Sequence, residues 1–352
     1  MYPKLLLAIV LTTGCNSKVE GGDTSSQTDT SATTTTDTGS ETSVSTTDTG
    51  EITGGDTGEE TQDTETTTDT ATDTDTDTDT DTTVNTPDLS FPGPYNVLTT
   101  SESVVLSDSC TTDTITNMPE GAPDAPHVIL SHGFSRNQGN MVDMAAHWAS
   151  WGVPVSTVTL CHNWLLNNDP DLDAVDLVSF SDYLGGGPVI YAGHSAGGVR
   201  SVMAGALDVE TVAILGLDLV DYAEDFFGEN YIGQTTAPSV NVPIFGVHGE
   251  NTDCNGSDIG LGVYDVARNS VALRITDADH CDFESPTDIL CTALCQGSNN
   301  SFTEEEIADT ILNLTTAFLL WQTGLDPQGE EFWTEGEAAY EALVNMGAVT
   351  VP

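Results

Sequence analysis

The stretch Val189–Arg200, "VIYAGHSAGGVR", joins an apolar run to a helical pattern through small residues that surround a single serine. The apolar run predicts a buried strand, and the residues after the serine predict a helix. Between them, Gly193 to Gly197 fit the pattern G-x-S-x-G, which carries meaning when it lies at a strand-to-helix turn. In so tight a turn a Cβ at Gly193 or Gly197 would collide with the neighbouring strand and helix, and the serine hydroxyl becomes exposed at a helix N-terminus. We therefore predict that Ser195 is a nucleophile.

Other apolar runs, bounded by Gly, Pro and Asn, alternate with helical patterns along the rest of the chain. The runs predicted as strands are His127–Gly133, Pro154–Cys161, Thr211–Asp218, Val242–Gly249 and Ser270–Thr276. This alternation predicts an α/β fold with a mostly parallel central sheet and helices on both faces. Residues before Asp124 are expected to add antiparallel strands at the sheet edge. Functional loops should then follow the carboxyl ends of the parallel strands.

Helical patterns are predicted over 171–186 and in a long last helix. Thr303 and Glu306 form a capping box at the start of that last helix, which carries an apolar stripe along one face. Tyr222, Phe226, Phe227 and Tyr231 lie after the predicted strand that ends at Asp218, and they are expected either to line an acyl pocket or to form a helix face packed on the sheet. The same two alternatives hold for Trp164 and Leu165.

Charge divides the chain into two parts of different kinds. The sequence has 56 acidic and 6 basic side chains, and residues 15–90 consist almost entirely of Thr, Asp, Ser, Gly and Glu. Such a segment buries too little apolar surface to offset the entropy of ordering, so we predict a disordered acidic spacer. Residues 91–352 then form one domain, in which four arginines are the only basic residues. So anionic a surface repels phosphate backbones and excludes nucleic acid as a partner.

The N-terminal residues 1–14 contain one lysine and an apolar run, Leu5–Leu11, that is too short to span a bilayer. These features indicate a processed export signal. The pair Gly14-Cys15 resembles the end of a bacterial lipoprotein signal, although Thr12 stands where that family usually has leucine. The resemblance implies that Cys15 is lipidated and that the protein is a membrane-anchored lipoprotein of the bacterial cell envelope or surface. Without lipidation the chain would be secreted.

Six further cysteines lie in the predicted domain, and an even number in an exported chain favours disulfides over metal thiolates. Up to three bridges are expected, and the sequence leaves their pairing open. The closely spaced Cys281, Cys291 and Cys295 indicate a stapled loop after residue 280. Because ligand spacing typical of zinc sites is missing around "CTALC", we expect no metal.

Two segments outside the serine turn bear on its chemistry, since a serine hydroxyl needs a base and its oxyanion needs donors. His132-Gly133-Phe134 ends the first predicted parallel strand, and His280 follows the last one. Together with the serine turn, these motifs resemble the α/β-hydrolase superfamily over residues 93–319. The resemblance implies an oxyanion hole formed by the backbone N–H groups of Phe134 and Ala196. It also implies the chain order serine, acid, histidine, which assigns His280 as the base.

The segment around His280, which we call the histidine loop, resembles particular families within this superfamily. The sequence "DADHCDFESPTDILCTALC" is similar to the histidine loop of bacterial chlorophyllase-like and platelet-activating-factor acetylhydrolase-like esterases. There the resemblance implies that a disulfide at Cys281 fixes the loop. His132 is expected to be a structural turn residue, His248 a packed histidine, and Arg136 a partner of a neighbouring aspartate.

The acid has three candidates. Asp218 directly ends an apolar strand. Glu250 and Asp253 instead follow the next predicted strand, one and four residues beyond its last residue, Gly249. The segment "GLDLVD" also resembles the Leu-Asp segment that carries the acid in platelet-activating-factor acetylhydrolases, chlorophyllases and pancreatic-type lipases. We therefore favour Asp218, with Asp253 and Glu250 as alternatives.

These features predict an exported serine hydrolase that cleaves small or polymeric carboxylic esters through an acyl-enzyme, as a monomer without metal or organic cofactor. Two alternatives remain open from the sequence. One is an amidase or peptidase with the same three residues, and the other is a non-catalytic surface binding protein on a hydrolase fold.

Overall fold

A computed structural model describes residues 87–222, 231–295, 297 and 301–352. These residues belong to the second of two compact units of the chain, Thr78–Pro352. The predicted signal peptide, Cys15, nearly all of the spacer, and the aromatic pair Phe226 and Phe227 lie outside the described residues.

The predicted α/β class with a mostly parallel central sheet is confirmed. The strands are β1 Val97–Ser107, β2 Cys110–Pro119, β3 His127–Ser131, β4 Val155–Val158, β5 Asn163–Trp164, β6 Asn167–Asn168, β7 Val189–His194, β8 Thr211–Leu217, β9 Ile244–His248, β10 Ser270–Ile275 and β11 Val349–Thr350. Nine of them form one sheet in the order β1-β2-β4-β3-β7-β8-β9-β10-β11, and β5 pairs with β6 in a small separate hairpin. Neighbours from β4 to β10 pair in parallel. The antiparallel strands β1, β2 and β11 lie at the edges, the first two where the sequence predicts them.

Among the described residues, eight α-helices connect or follow these strands. They are α1 Val142–Ser150, α2 Pro170–Tyr183, α3 Ala196–Leu207, α4 Ile232–Thr236, α5 Leu261–Val266, α6 Ile289–Cys295, α7 Glu304–Thr323 and α8 Ala338–Met346. Short 3-10 turns cover Gln138–Met141, Ala237–Ser239 and Pro327–Phe332. Within the described ranges, none of these helices has both the length and the apolar character to cross a membrane.

Side-chain alternation along the parallel strands builds a core on each face of the sheet. In β3, Val128 and Leu130 pack in the same cluster as Trp148 of α1 and Phe318 of α7. Ile129, between them, packs in another cluster with Phe180 of α2. Helices therefore cover both faces, as the sequence predicts, and the parallel strands from β4 to β9 are almost entirely buried.

The long helix α7 shows how local signals set the limits of an element. The Thr303 side chain accepts from the Glu306 N–H, and Glu306 in turn accepts from Thr303, which completes the predicted capping box. The helix ends at Gly324, whose φ of 75° lies in the left-handed region that favours glycine. Its apolar stripe, which includes Ile311 and Leu314, is buried against the sheet.

Candidate active site

Ser195 lies at the turn between β7 and α3 with φ 54° and ψ −121°, a backbone conformation that non-glycine residues rarely adopt. The surrounding backbone holds it there. The Ser195 N–H donates to the Leu217 carbonyl at 2.9 Å, and the Gly198 N–H donates to the Ser195 carbonyl at 3.0 Å. The strained backbone places the serine side chain at the carboxyl edge of the sheet, in front of the N-terminus of α3.

The glycines of the turn are required by close backbone approach. A Cβ on Gly193 would lie 2.4 Å from the carbonyl group of Gly197, and one on Gly197 would lie 2.5 Å from the His132 carbonyl oxygen. The obstructing atoms belong to the backbone and cannot rotate away. The turn therefore demands glycine at both positions, for the steric reason that the sequence indicates.

Three of the predicted residues lie in one hydrogen-bonded chain. Ser195 Oγ is 3.0 Å from His280 Nε2, and His280 Nδ1 is 2.6 Å from Asp218 Oδ2. A carboxylate only accepts, so Nδ1 carries the proton and Nε2 is left to accept from the serine hydroxyl. Serine and histidine are 6 % and 7 % exposed, and the aspartate is fully buried.

Asp218 is held from several sides at the end of β8. Its Oδ1 accepts from the Gly249 N–H at 3.1 Å and from Asn255 Nδ2 at 3.3 Å. His248 Nδ1 lies 3.6 Å from the same oxygen. Burial raises the pKa of the Asp218 carboxyl, but the contacts with His248 and His280 outweigh burial and hold that pKa below its usual range. Asp218 therefore stays ionised beside the imidazole.

The two alternative acids lie elsewhere. Asp253 is exposed. Glu250 accepts from the Asp277 N–H at 3.2 Å and lies 3.8 Å from Arg274 Nη1. Neither carboxylate contacts His280 in the described part of the chain, whereas Asp218 does.

His248 is packed, as the sequence suggests, and is 1 % exposed with its ring edge-on to Tyr264. Its position beside the Asp218 carboxylate is a feature that sequence reasoning missed. The available signal was its place at the end of β9, because β9 neighbours β8 and ends at the same sheet edge.

The turn after β3 passes directly beside Ser195. A Cβ added at Gly133 would lie 3.3 Å from Ser195 Cβ, so the turn that leads to Phe134 passes close to the serine. His132 Nδ1 is 2.7 Å from the Gly133 carbonyl, and its Nε2 accepts from the Leu160 N–H at 2.9 Å. Burial lowers the pKa of His132 to about 4, so this histidine is neutral and ties the turn together.

Ala196 is the first residue of α3, so its N–H has no partner within the helix. Neither this N–H nor that of Phe134 pairs with a backbone acceptor among the described residues. Two N–H donors without a backbone acceptor thus belong to residues adjacent in sequence to Gly133 and Ser195, which lie close together.

His194, the x residue before the serine, connects the turn to the histidine loop. Its Nε2 donates to the His280 carbonyl at 3.0 Å. Its Nδ1 lies 3.5 Å from Glu284 Oε1, which accepts from Arg136 Nε at 2.9 Å. Burial, together with the nearby His280, lowers the pKa of His194. Arg136 also pairs with Asp288, so its predicted ion pair exists and includes a buried glutamate as well.

Arg200 fastens the first turns of α3. It is fully buried, with Nε 2.6 Å from Asp173 Oδ2 of α2 and Nη1 3.0 Å from the Ala196 carbonyl. Its Nη2 donates to Asn168 Oδ1 at 2.7 Å, and its guanidinium lies 5.6 Å from the ring centroid of Tyr222. The helix that follows the serine is thereby locked to α2 and to the β5–β6 hairpin.

Three disulfides fix the loops around this site: Cys110–Cys161, Cys254–Cys295 and Cys281–Cys291. The predicted stapled loop after residue 280 is confirmed, because Cys281 directly follows His280 in the chain. The bridge from Cys254 joins the loop after β9 to the end of α6. Bridged sulfurs cannot act as thiolate ligands, and three bridges indicate an oxidising compartment.

Comparisons of the chain with protein-family models and with curated proteins find no match. The site is therefore defined by its own geometry: a buried acid, an imidazole and a serine in hydrogen-bonded sequence, with a free N–H on the residue that follows the serine.

Proposed function

We propose that the protein is an exported serine hydrolase of the α/β-hydrolase type that cleaves carboxylic esters. The observation that carries the proposal is the hydrogen-bonded chain from Ser195 through His280 to the buried Asp218. This arrangement generates a nucleophile, which a binding surface does not need. The three disulfides favour export. Anchoring through a lipid on Cys15 remains a prediction from the sequence.

In the acylation step, Ser195 Oγ bonds to the acyl carbon while its proton moves to His280 Nε2. The ionised Asp218 stabilises the resulting imidazolium and holds its orientation. The carbonyl oxygen becomes an oxyanion, which the N–H groups of Phe134 and Ala196 would bind, each contributing about 3–4 kcal/mol of transition-state stabilisation. Collapse breaks the bond to the alcohol oxygen, and that oxygen leaves with the proton from His280.

Deacylation reverses these roles with water. His280 Nε2 takes a proton from water as the water oxygen bonds to the acyl carbon, and the same two N–H groups receive the oxyanion. Collapse breaks the bond to Ser195 Oγ, which regains its proton from His280. The carboxylic acid departs and the free serine is restored.

A fluorophosphonate probe tests the nucleophile directly, because Ser195 Oγ bonds to phosphorus while fluoride leaves. We expect the folded protein to be labelled at Ser195 and the Ser195→Ala variant to stay unlabelled. The matched control is Ser201→Ala, since Ser201 lies on the same helix and donates to the Gly197 carbonyl. Absence of labelling in folded wild-type protein would contradict the proposal.

The disulfides give a second prediction. Replacing both Cys281 and Cys291 by serine should lower turnover of a nitrophenyl ester, because the loop that carries His280 loses its closure. Replacing Cys110 and Cys161 by serine removes a bridge outside the histidine loop, between β2 and the segment after β4, and the loss of either bridge costs about 2–5 kcal/mol of stability. Measured at equal distances below each melting temperature, turnover should fall only in the first variant. Equal losses in both variants would show that the bridge does not position the base.

A further inference from the structure

The hairpin β5–β6 carries large apolar side chains into solvent beside the candidate site. Its sequence is "NWLLNN", residues 163–168, and Asn163 pairs with Asn168 across the base. Trp164 is 57 % exposed, Leu165 53 % and Leu166 92 %. Phe134, in the turn next to Ser195, is 44 % exposed. We refer to these four side chains as the apolar rim.

The two ends of the hairpin are fixed to the turn after β3 and to Arg200 of α3. Asn163 is buried, and its Nδ2 donates to the Gly133 carbonyl at 3.0 Å while its own carbonyl accepts from the Ser135 N–H at 3.0 Å. At the other end, Asn168 accepts from Arg200, which also binds the Ala196 carbonyl. The polar base is therefore hydrogen-bonded to residues near Ser195, with Asn163 Oδ1 left unpaired among the described residues, and the apolar tip shows no such bond there.

A rigid base under adjacent exposed apolar side chains is typical of an interaction surface, because scattered single residues need no such support. A protein docked on the apolar rim would also cover the approach to Ser195, which is only 6 % exposed. The surface is thus best matched by the substrate itself.

The charged residues of the domain indicate which kind of lipid surface the apolar rim can approach. The described residues contain four arginines and no lysine. Arg200 is buried, while Arg136 and Arg274 are paired with carboxylates. The hairpin itself carries no cation that would attract a phosphate headgroup, and the domain around it is acidic. An anionic lipid surface is therefore repelled, whereas an uncharged one is not.

We propose that the apolar rim docks the protein on aggregates of uncharged, water-insoluble lipid esters and delivers their acyl chains to Ser195. This inference rests on the proposed ester hydrolysis and names its substrate class.

The test compares a hairpin variant, Leu165→Ser with Leu166→Ser, with a matched control, Leu207→Ser with Val209→Ser. The control residues are 57 % and 93 % exposed; Leu207 is the last residue of α3, and Val209 lies just beyond it. All proteins are full-length and carry Cys15→Ser, so that no N-terminal lipid contributes to binding. Hydrolysis of emulsified trioctanoin and of soluble nitrophenyl acetate is measured for each.

We expect the hairpin variant to lose about tenfold more activity on the emulsion than on the soluble ester, because two leucine side chains no longer leave water on docking. The control variant should change both rates by no more than about twofold. Equal losses on the two substrates, or no loss on the emulsion, would overturn the inference.

Flotation separates docking from catalysis. The Ser195→Ala protein should bind trioctanoin droplets about tenfold more tightly than the same protein with the hairpin changes. It should bind vesicles of anionic phosphatidylglycerol more weakly than the droplets. Droplet binding by a wild-type protein that a fluorophosphonate fails to label would contradict the proposed function but not the docking surface. Labelling without droplet binding would contradict the docking surface alone.

Discussion

Replacing Asp218 by asparagine should lower turnover of a soluble nitrophenyl ester by about 10,000-fold, with the fold intact. The asparagine side chain has nearly the same shape, so the contacts with Gly249 N–H and Asn255 can persist. It cannot supply a charge, and its amide can donate to Nδ1, which shifts the imidazole proton to Nε2. His280 then faces Ser195 as a donor and cannot take the serine proton.

The matched controls are the two other acids considered from the sequence. Asp253→Asn and Glu250→Gln should retain turnover within about twofold, since neither carboxylate contacts His280. Turnover is measured by initial rates, and folding by circular dichroism of each variant. A near-normal Asp218→Asn enzyme, or a collapse of activity in Asp253→Asn, would show that the acid is assigned wrongly.

The largest expected effect on stability comes from Arg200→Met. The change leaves Asp173 buried without its cation, which should lower the free energy of unfolding by about 3–5 kcal/mol. Arg268→Met is the control, because Arg268 is exposed and, within the described ranges, its side chain donates only to Asn241; this change should cost no more than about 0.5 kcal/mol. Urea unfolding with the disulfides intact measures both.

Two further measurements distinguish a buried charge from lost packing. Burial raises the pKa of Asp173 while Arg200 opposes that rise, so removing the arginine should raise the pKa further. When a carboxyl has a higher pKa in the folded than in the unfolded protein, the folded state loses stability as the pH rises above the pKa of that carboxyl in the unfolded chain. The loss in Arg200→Met should therefore be larger at pH 8 than at pH 4. Adding Asp173→Asn should restore part of the stability, and failure of both results would indicate a packing defect instead.

The sequence could predict those parts of the molecule that local patterns specify. Apolar runs predict all six parallel strands, because strands buried on both faces of a sheet are rich in apolar residues. Asp218 was favoured because an abrupt carboxylate at a strand end lies at the sheet edge, and the structure brings it to His280. The need for glycine at positions 193 and 197 is also predictable, because it depends on the close backbone approach within a single turn.

Contacts that depend on tertiary packing could not be predicted in this way. His194 and Glu284 are 90 positions apart in the sequence (284 − 194), and their approach depends on how the histidine loop folds back onto β7. The hairpin at 163–168 was also missed, because strands of two residues show no periodicity. The base of the hairpin is held by the Gly133 carbonyl and by the Arg200 side chain. Both residues are distant in the sequence, so no local pattern predicts these contacts.

The disulfides around the histidine loop carry a consequence for the timing of activity. Cys281–Cys291 closes the loop that bears the base, and Cys254–Cys295 ties the loop that supports the acid to the same helix, α6. A newly made chain in a reducing cytoplasm has neither bridge, so the loop that bears the base and the loop that supports the acid are not yet tied to α6. On the proposed function, maturation and export then coincide: the chain becomes an efficient hydrolase only after oxidation outside the cytoplasm, and esters inside the producing cell are spared during synthesis.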